Sequence, residues 1–379
     1  MRNIVLLGLT SFLTDISSEM VYPLVPFFLT AALGASPAVL GLIEGLAESV
    51  ASLLKVFSGF ISDLIGRRKG LTMAGYGAGA IGKLLLALAA GWGMVLAARV
   101  VDRLGKGIRT APRDALIADS AHPEKRGSAF GLHRTLDTWG AVVGVALGYW
   151  FFTRMPGEYT RVFLWALLPA AAGLLMLLAV REPRHEGPRV TPPRLSWSAL
   201  PGRLRLFLLI TLLFTLGNSS NAFLLLRAQD LGMSAAAAIL LYGAYNVSYA
   251  LSSYPVGRLS DRIGRKALLV AGYLFYGLVY LGFALLDGLG HSWLIWALFA
   301  LYGLYSGFTD GVEKALVTDL APRELRATAM GLHGTLVGIG LFPASLIAGA
   351  LWTWLGPASP FYFGGGMGLL AALGLLLVL

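Results

Sequence analysis

The 379-residue chain contains no cysteine. That excludes a disulfide scaffold, a thiol nucleophile, an iron–sulfur cluster and any Cys-ligated zinc site. Charge is scarce: 13% of residues are Asp, Glu, Lys or Arg, against roughly 25% in soluble domains. Long polar stretches are few, which excludes a disordered tail protein, and a charge-laced coiled coil is excluded with it. What abounds is apolar side chain, at 56% of residues, together with 48 glycines and a mean hydropathy of +0.72. No soluble body of this size has interior enough to hide so much apolar surface. The bilayer is the solvent that fits.

A membrane-crossing helix needs roughly 20 mostly apolar residues. Divided at its charged and Pro/Gly-rich breaks, the chain yields twelve such runs. They lie near 3–30, 38–62, 70–90, 93–118, 127–152 and 161–180, then near 204–226, 234–258, 267–286, 293–318, 327–352 and 360–379. Short polar connections make neighbouring helices antiparallel. The longer connection, 181–203, is rich in Pro and Arg and divides the chain into two six-helix halves, 1–180 and 204–379. The first apolar run lacks an A-x-A cleavage site and so reads as a span rather than a removable signal. The expected fold is an all-α membrane protein with twelve transmembrane helices in two pseudo-symmetric six-helix bundles.

Lys and Arg in the loops set the orientation. Eighteen of them fall on the side of the N-terminus, against Arg154, Arg161 and Arg227 on the other. Both termini are therefore expected in the cytoplasm, with the protein in the inner (cytoplasmic) membrane of the cell. The net charge of +10 follows this asymmetry. It is a topology signal and a contact with anionic lipid headgroups, not a nucleic-acid surface.

The halves repeat one another. Residues 115–136, ALIADSAHPEKRGSAFGLHRTL, align without gaps to 315–336, ALVTDLAPRELRATAMGLHGTL, so that Asp119/Asp319, Arg126/Arg326 and His133/His333 coincide. GFISDLIGRRKG (59–70) aligns to GRLSDRIGRKAL (257–268), pairing Asp63 with Asp261 and Arg67 with Arg265. More faintly, FLTDISSE (12–19) echoes FTLGNSSN (214–221). Two bundles related by an axis along the membrane normal are the expected consequence.

On these motifs the chain resembles the major facilitator superfamily over its whole length. The doubled loop signature G-x-x-x-D-x-x-G-R-R/K is the specific mark. LAARVVDRLGKG in the fourth span is similar to the family's second motif, with Arg99 at the arginine position but Asp102 and Arg103 where a neutral residue and a glycine are usual. Gly140, Gly144 and Gly148 in the fifth span resemble the antiporter signature of drug exporters, with Val145 at the place of its proline. The resemblance implies a secondary transporter, similar to drug/proton antiporters, that moves a small molecule by alternating access as a monomer. Charge clusters at bundle ends form in one conformation and break in another. Asp63, Arg67, Asp119 and Arg126, their copies Asp261, Arg265, Asp319 and Arg326, and Arg99 are the expected gating residues.

Eighteen ionisable side chains fall within the spans, fifteen of them in the first half. Each costs a few kcal/mol at the bilayer centre unless paired or hydrated, so a polar, water-accessible interior follows. Asp15, Glu19 and Tyr22 share one face of the first span, and Glu44, Glu48 and Lys55 one face of the second. His133 and Asp137 are one turn apart in the fifth, while Arg99, Arg103 and Lys106 stack along the fourth. Asp15, Glu48, Arg103 and Asp137 fall near mid-depth, where carriers hold their cargo. The expected proton carriers are Glu48 and Asp15, then Glu19 and Asp137. Tyr22, Glu44 and Arg103 are expected to touch substrate.

Asn218, Ser219, Ser220 and Asn221 place four consecutive polar residues in the seventh span, where they must face something polar. In the eighth span Tyr242, Tyr245 and Tyr249 form a stripe with Asn246 beside it, suited to an amphipathic ligand. Asn218, Asn221, Tyr245 and Asn246 complete the substrate set. The expected activity is proton-coupled export of a small molecule, with no cofactor and no resident metal. Two alternatives remain within transport. Asp15, Glu19, Glu44, Glu48, His133 and Asp137 are hard or borderline ligands for a divalent metal cargo. Arg99, Arg103, Lys106 and Arg109 form a basic row for an organic anion. H-E-x-x-H, G-x-S-x-G and the P-loop are all absent, which leaves an enzyme or an ATP-driven pump unsupported.

Overall fold

A backbone inside a bilayer has no water to bond to, so each apolar run closes its hydrogen bonds within itself as a helix. The computed structural model describes residues 2–65, 68–122, 126–182, 197, 200–286, 292–322 and 325–378, with the side chains of 60, 63–65, 126–128, 254, 257, 258, 261, 292, 327 and 328 left aside. Among these residues there is no strand. The first half runs α1 (Arg2–Val21), α2 (Pro37–Ile65), α3 (Arg68–Ala87), α4 (Trp92–Ser120), α5 (Arg126–Arg154) and α6 (Tyr159–Leu178). The second runs α7a (Gly202–Gly217), α7b (Ala222–Asp230), α8 (Ala235–Ile263), α9 (Arg265–Leu285), α10 (Ser292–Leu320), α11 (Arg326–Leu355) and α12 (Ser359–Val378).

Two spans are interrupted rather than continuous. Past Val21 the first continues through a 3₁₀ turn (Tyr22–Leu24), a single α turn (Val25–Phe27) and a π turn (Phe28–Ala32). Pro23 and Pro26 explain this, since each removes an N–H and crowds the preceding turn. The seventh breaks between Gly217 and Ala222, at the run of four polar residues, where side chains take over the freed backbone groups.

Among the described residues, six segments are long and apolar enough to cross a membrane on length and composition alone: Arg2–Ala32, Tyr159–Leu178, Gly202–Asp230, Arg265–Leu285, Ala329–Leu355 and Ser359–Val378. The other six helices, α2, α3, α4, α5, α8 and α10, have the length but carry charged or polar side chains along it. Several of these are turned inward: Lys83, Arg99, Arg103 and Arg109 are all under 9% exposed.

The chain forms two units, Met1–Ala35 with Leu46–Pro192, and Ser36–Gly45 with Pro193–Leu379. Helix α2 thus belongs to both. In the first unit α1 packs on α5 and α6, and α3 on α4 and α6; in the second α8 packs on α10, and α9 on α10 and α12. The repeat is visible in the helices. α4 and α10, α5 and α11, and α6 and α12 begin 200 residues apart, while α3 and α9 begin 197 apart.

The α1–α5 contact depends on absent side chains. A Cβ on Gly140 would lie 2.4 Å from the Phe12 carbonyl oxygen, and one on Gly144 would lie 2.6 Å from that of Ile16. These two glycines flank the level of Asp15, so they set how closely its carboxyl approaches α5.

Candidate transport site

At that level in the first unit, the Asp15 and Asp137 carboxyl groups come within hydrogen-bonding reach of each other. Glu19 and Arg109 lie near Asp15, and Arg113 and His133 near Asp137. Arg134 approaches Asp137 from the exposed side, 3.4 Å away. One turn closer to the start of α1, Ser11 Oγ lies 2.9 Å from Tyr76 Oη and 2.8 Å from His133 Nε2. Arg113 donates to the same hydroxyl over 3.3 Å and is itself paired with Asp114 at 2.9 Å.

Glu48 lies in an ion pair, its carboxylate 3.0 Å from Nη2 of Arg103. The Tyr22 ring sits beneath both Arg99 and Arg103, whose guanidinium carbons are 5.4 and 5.8 Å from its centroid. Such contacts contribute roughly 0.5–2 kcal/mol each. Arg99 and Lys83 share Asp102, at 3.9 and 3.5 Å. Arg109 is 6% exposed, lies over the Tyr76 ring at 4.4 Å and makes no ion pair with a described residue. Lys106 is exposed and lies close to Arg103, Glu48 and Asp15.

Glu44, read from helical spacing as a neighbour of Glu48, belongs instead to the second unit. It is 1% exposed and accepts a hydrogen bond from Ser220 Oγ over 3.3 Å. The Ser220 amide donates to Ser345 Oγ over 3.2 Å, which ties the broken seventh span to α11. Asn218 donates to Tyr305 Oη over 3.1 Å, and Tyr302 donates to Asn221 Oδ1 over 3.0 Å. Tyr245 stacks on Tyr242 and Tyr302 with centroids 5.6 and 5.3 Å apart. Asn246 donates to the Tyr242 carbonyl of its own helix over 3.0 Å.

Sequence reasoning left Tyr302, Tyr305, Tyr276 and Tyr280 out of the substrate set, yet they complete one aromatic cluster. Tyr276 and Tyr280 have centroids 4.2 Å apart, and Tyr276 and Tyr305 4.8 Å. The signal was present in their helical spacing, but tyrosines on different helices announce no shared partner in the sequence.

Among the expected gating residues, Asp119 pairs with Arg68 and Asp319 with Arg265. Lys69 donates to the Leu178 carbonyl and Lys266 to that of Leu376, at 2.8 and 3.1 Å. The structural counterpart of Arg265 is therefore Arg68, one residue later than the ungapped alignment gives. Arg67 lies outside the described residues, as do the side chains of Asp63, Arg126 and Asp261. Arg326 donates through Nε to the Thr318 carbonyl over 3.1 Å. Arg99 sits with Asp102 and Tyr22, in the half of α4 away from Asp119. Glu182 caps α3 by accepting from the Arg68 and Lys69 amides, both at 2.8 Å. Among the described residues, no three His, Asp or Glu side chains converge as a metal site would require.

Two repeated six-helix units with buried ion pairs inside bilayer-length helices define a multi-pass membrane transport protein. The chain belongs to the Major Facilitator Superfamily, whose model matches residues 7–226 and 206–379. Members of that family are transporters, not enzymes. An uncharacterized MFS-type transporter of Methanocaldococcus jannaschii is 40% identical over all of this chain and 95% of its own length. Multidrug resistance protein MdtH of Yersinia pestis is 26% identical over 94% of this chain and 89% of its own. In fold, the chain is similar to the crystal structure of the nucleoside transporter NupG, with a TM-score of 0.79, 15% identity, and 100% of this chain and 99% of that one covered.

Proposed function

We propose that this transporter moves a small molecule out of the cell in exchange for protons, by alternating access, as a monomer in the cytoplasmic membrane with both termini inside. The observation that carries proton coupling is the Asp15–Asp137 pair. Two carboxylates about 4 Å apart repel by roughly 4 kcal/mol at an effective dielectric near 20. A proton held between their oxygens turns that repulsion into a hydrogen bond. Loss of the proton forces the two apart or demands a cation, which gives a proton the means to bias one conformation over another. Outward movement draws support from the multidrug resistance name of the MdtH relatives.

Glu48 is the second titrating group in this reading. Protonating it weakens the ion pair with Arg103, whose guanidinium, beside Tyr22, then turns to substrate. In the second unit, Glu44, Asn218, Asn221, Tyr245 and Asn246 line the polar and aromatic surface that cargo meets. Glu48→Gln is expected to change the pH dependence of transport in proteoliposomes, leaving the part that Asp15 and Asp137 carry, while the protein remains folded. An unchanged pH profile in that variant overturns the assignment.

The pairs Arg68–Asp119 and Arg265–Asp319 act as cytoplasmic latches. Arg68→Ala should therefore change the rate of conformational exchange several-fold without removing ligand binding. Loss of the ligand-induced thermal shift in Arg68→Ala counts against a gating role.

An organic anion is the second reading, favoured by Arg109, a buried cation without an ion-pair partner among the described residues. The proton-coupling test above applies to either cargo.

A further inference from the structure

Positive charge is scarce on the expected outer side of this protein, and where it occurs it is concentrated. Asn3, at the start of α1, bonds the backbone of Arg181 just past the end of α6, so the α5–α6 turn lies at the opposite end of the first unit. Of the three basic residues expected on that side, Arg154 and Arg161 flank this turn. The third, Arg227, is buried within the second unit, where it engages Asp230 and the carbonyls of Phe283 and Leu286. Gly157, at a φ of +79°, lets the chain reverse sharply between α5 and α6.

A chain of aromatic rings joins the two arginines. The Arg154 guanidinium lies over the Trp150 ring, 5.5 Å from its centroid. Trp150 meets Phe151 edge-on at 4.8 Å, and Phe151 stacks on Trp165 at 5.4 Å. Trp165 stands one turn along α6 from Arg161. Arg161, Leu164, Trp165 and Leu168 share one exposed face of that helix and line an open groove of about 340 Å³. The groove follows the helix for about 10 Å, with a charged mouth and an apolar floor. Arg154 makes no ion pair with a described residue. Arg161 lies 3.4 Å from Glu158, with both side chains more than half exposed, and such a pair holds its partners weakly. Trp139, Trp293 and Trp354 are more exposed than Trp150 or Trp165, yet among the described residues none has an arginine over its ring.

An occupant of this groove needs negative charge at one end and apolar length at the other, in that order from the membrane surface inward. A soluble anion leaves Leu164, Trp165 and Leu168 uncovered. A zwitterionic lipid brings its own cation against the arginines. We propose that the α5–α6 hairpin is a binding site for an anionic phospholipid, its headgroup phosphate held by Arg154 and Arg161 and one acyl chain laid along Leu164, Trp165 and Leu168. The surrounding tryptophans meet any lipid; this place selects one by charge.

Tryptophan quenching tests the site without a transported substrate. The purified protein is placed in phosphatidylcholine nanodiscs with a small, equal fraction of either phosphatidylglycerol or phosphatidylcholine carrying brominated chains. In each background, the difference made by Trp165→Phe isolates the emission of Trp165. Brominated phosphatidylglycerol is expected to quench Trp165 several-fold more than brominated phosphatidylcholine. Each arginine contributes about fivefold to such a preference, so Arg154→Gln with Arg161→Gln is expected to abolish it. Arg154→Lys with Arg161→Lys, which keeps both charges, is expected to retain it in large part. Equal quenching by the two lipids in wild type overturns the proposal, as does a preference that survives the double glutamine variant or is lost equally in the double lysine variant. Removal of the preference by excess inorganic phosphate marks a site for soluble anions and also overturns it.

Discussion

Asp15→Asn is expected to reduce transport driven by a proton gradient to the level of empty liposomes. The amide keeps the size and one hydrogen bond to Asp137, so packing between α1 and α5 is preserved. What it removes is the proton shared between two acids: a neutral amide beside a carboxylate leaves no charge repulsion for a proton to relieve. Downhill movement of the same compound without a gradient is expected to persist at a measurable rate, because the tyrosine cluster and the Glu48–Arg103 pair are untouched. That split distinguishes coupling from binding. Asp137→Asn should behave alike, and a variant of either residue that retains gradient-driven accumulation would remove the pair from the mechanism.

The second large effect is structural. Gly140→Leu should destabilise the protein by about 3 kcal/mol or more, at the upper end for overpacking, because the obstruction is a backbone oxygen that no rotamer change can move. The Phe12 carbonyl lies 2.4 Å from where the new Cβ would sit. Relief requires α1 and α5 to separate, which also separates Asp15 from Asp137. Gly140→Leu is therefore expected to lower the melting temperature by several degrees and to lose proton coupling together. Gly131→Ala, at a glycine on the same helix with open space around its Cβ position, is the control and should change neither. Equal melting temperatures for Gly140→Leu and Gly131→Ala would contradict the packing argument.

Much of this was legible in the sequence because the bilayer makes few demands and makes them repeatedly. Apolar length gave the spans, and the repeat gave two bundles with matching helices. The Asp15–Asp137 contact was foreshadowed, since both acids fall near mid-depth and the glycine spacing marks a helix that approaches another closely. Partner choice across helices was less legible. Glu44 and Glu48 share a face, yet α2 belongs to two units and divides them, a fact that no single-helix pattern contains. Glu48 lies beside Arg103, which comes from another helix, as do Tyr302 and Tyr305, the partners of Asn221 and Asn218. The ungapped alignment paired Arg265 with Arg67, whereas α3 and α9 begin at Arg68 and Arg265 because the two loops differ by a residue. The break in the seventh span is the opposite case: four polar residues in a row announced it, and reading 204–226 as continuous overlooked what helices do when side chains compete for their backbone.

Proton movement itself is the most direct test of coupled transport. Purified protein in liposomes enclosing a pH-sensitive dye is presented in turn with organic cations, organic anions and divalent metals, for wild type and Asp15→Asn. At least one organic compound is expected to drive a proton flux through wild type that Asp15→Asn abolishes. Transport of that compound by wild type with no accompanying proton flux, or flux with divalent metals alone, would contradict proton-coupled export of a small organic molecule.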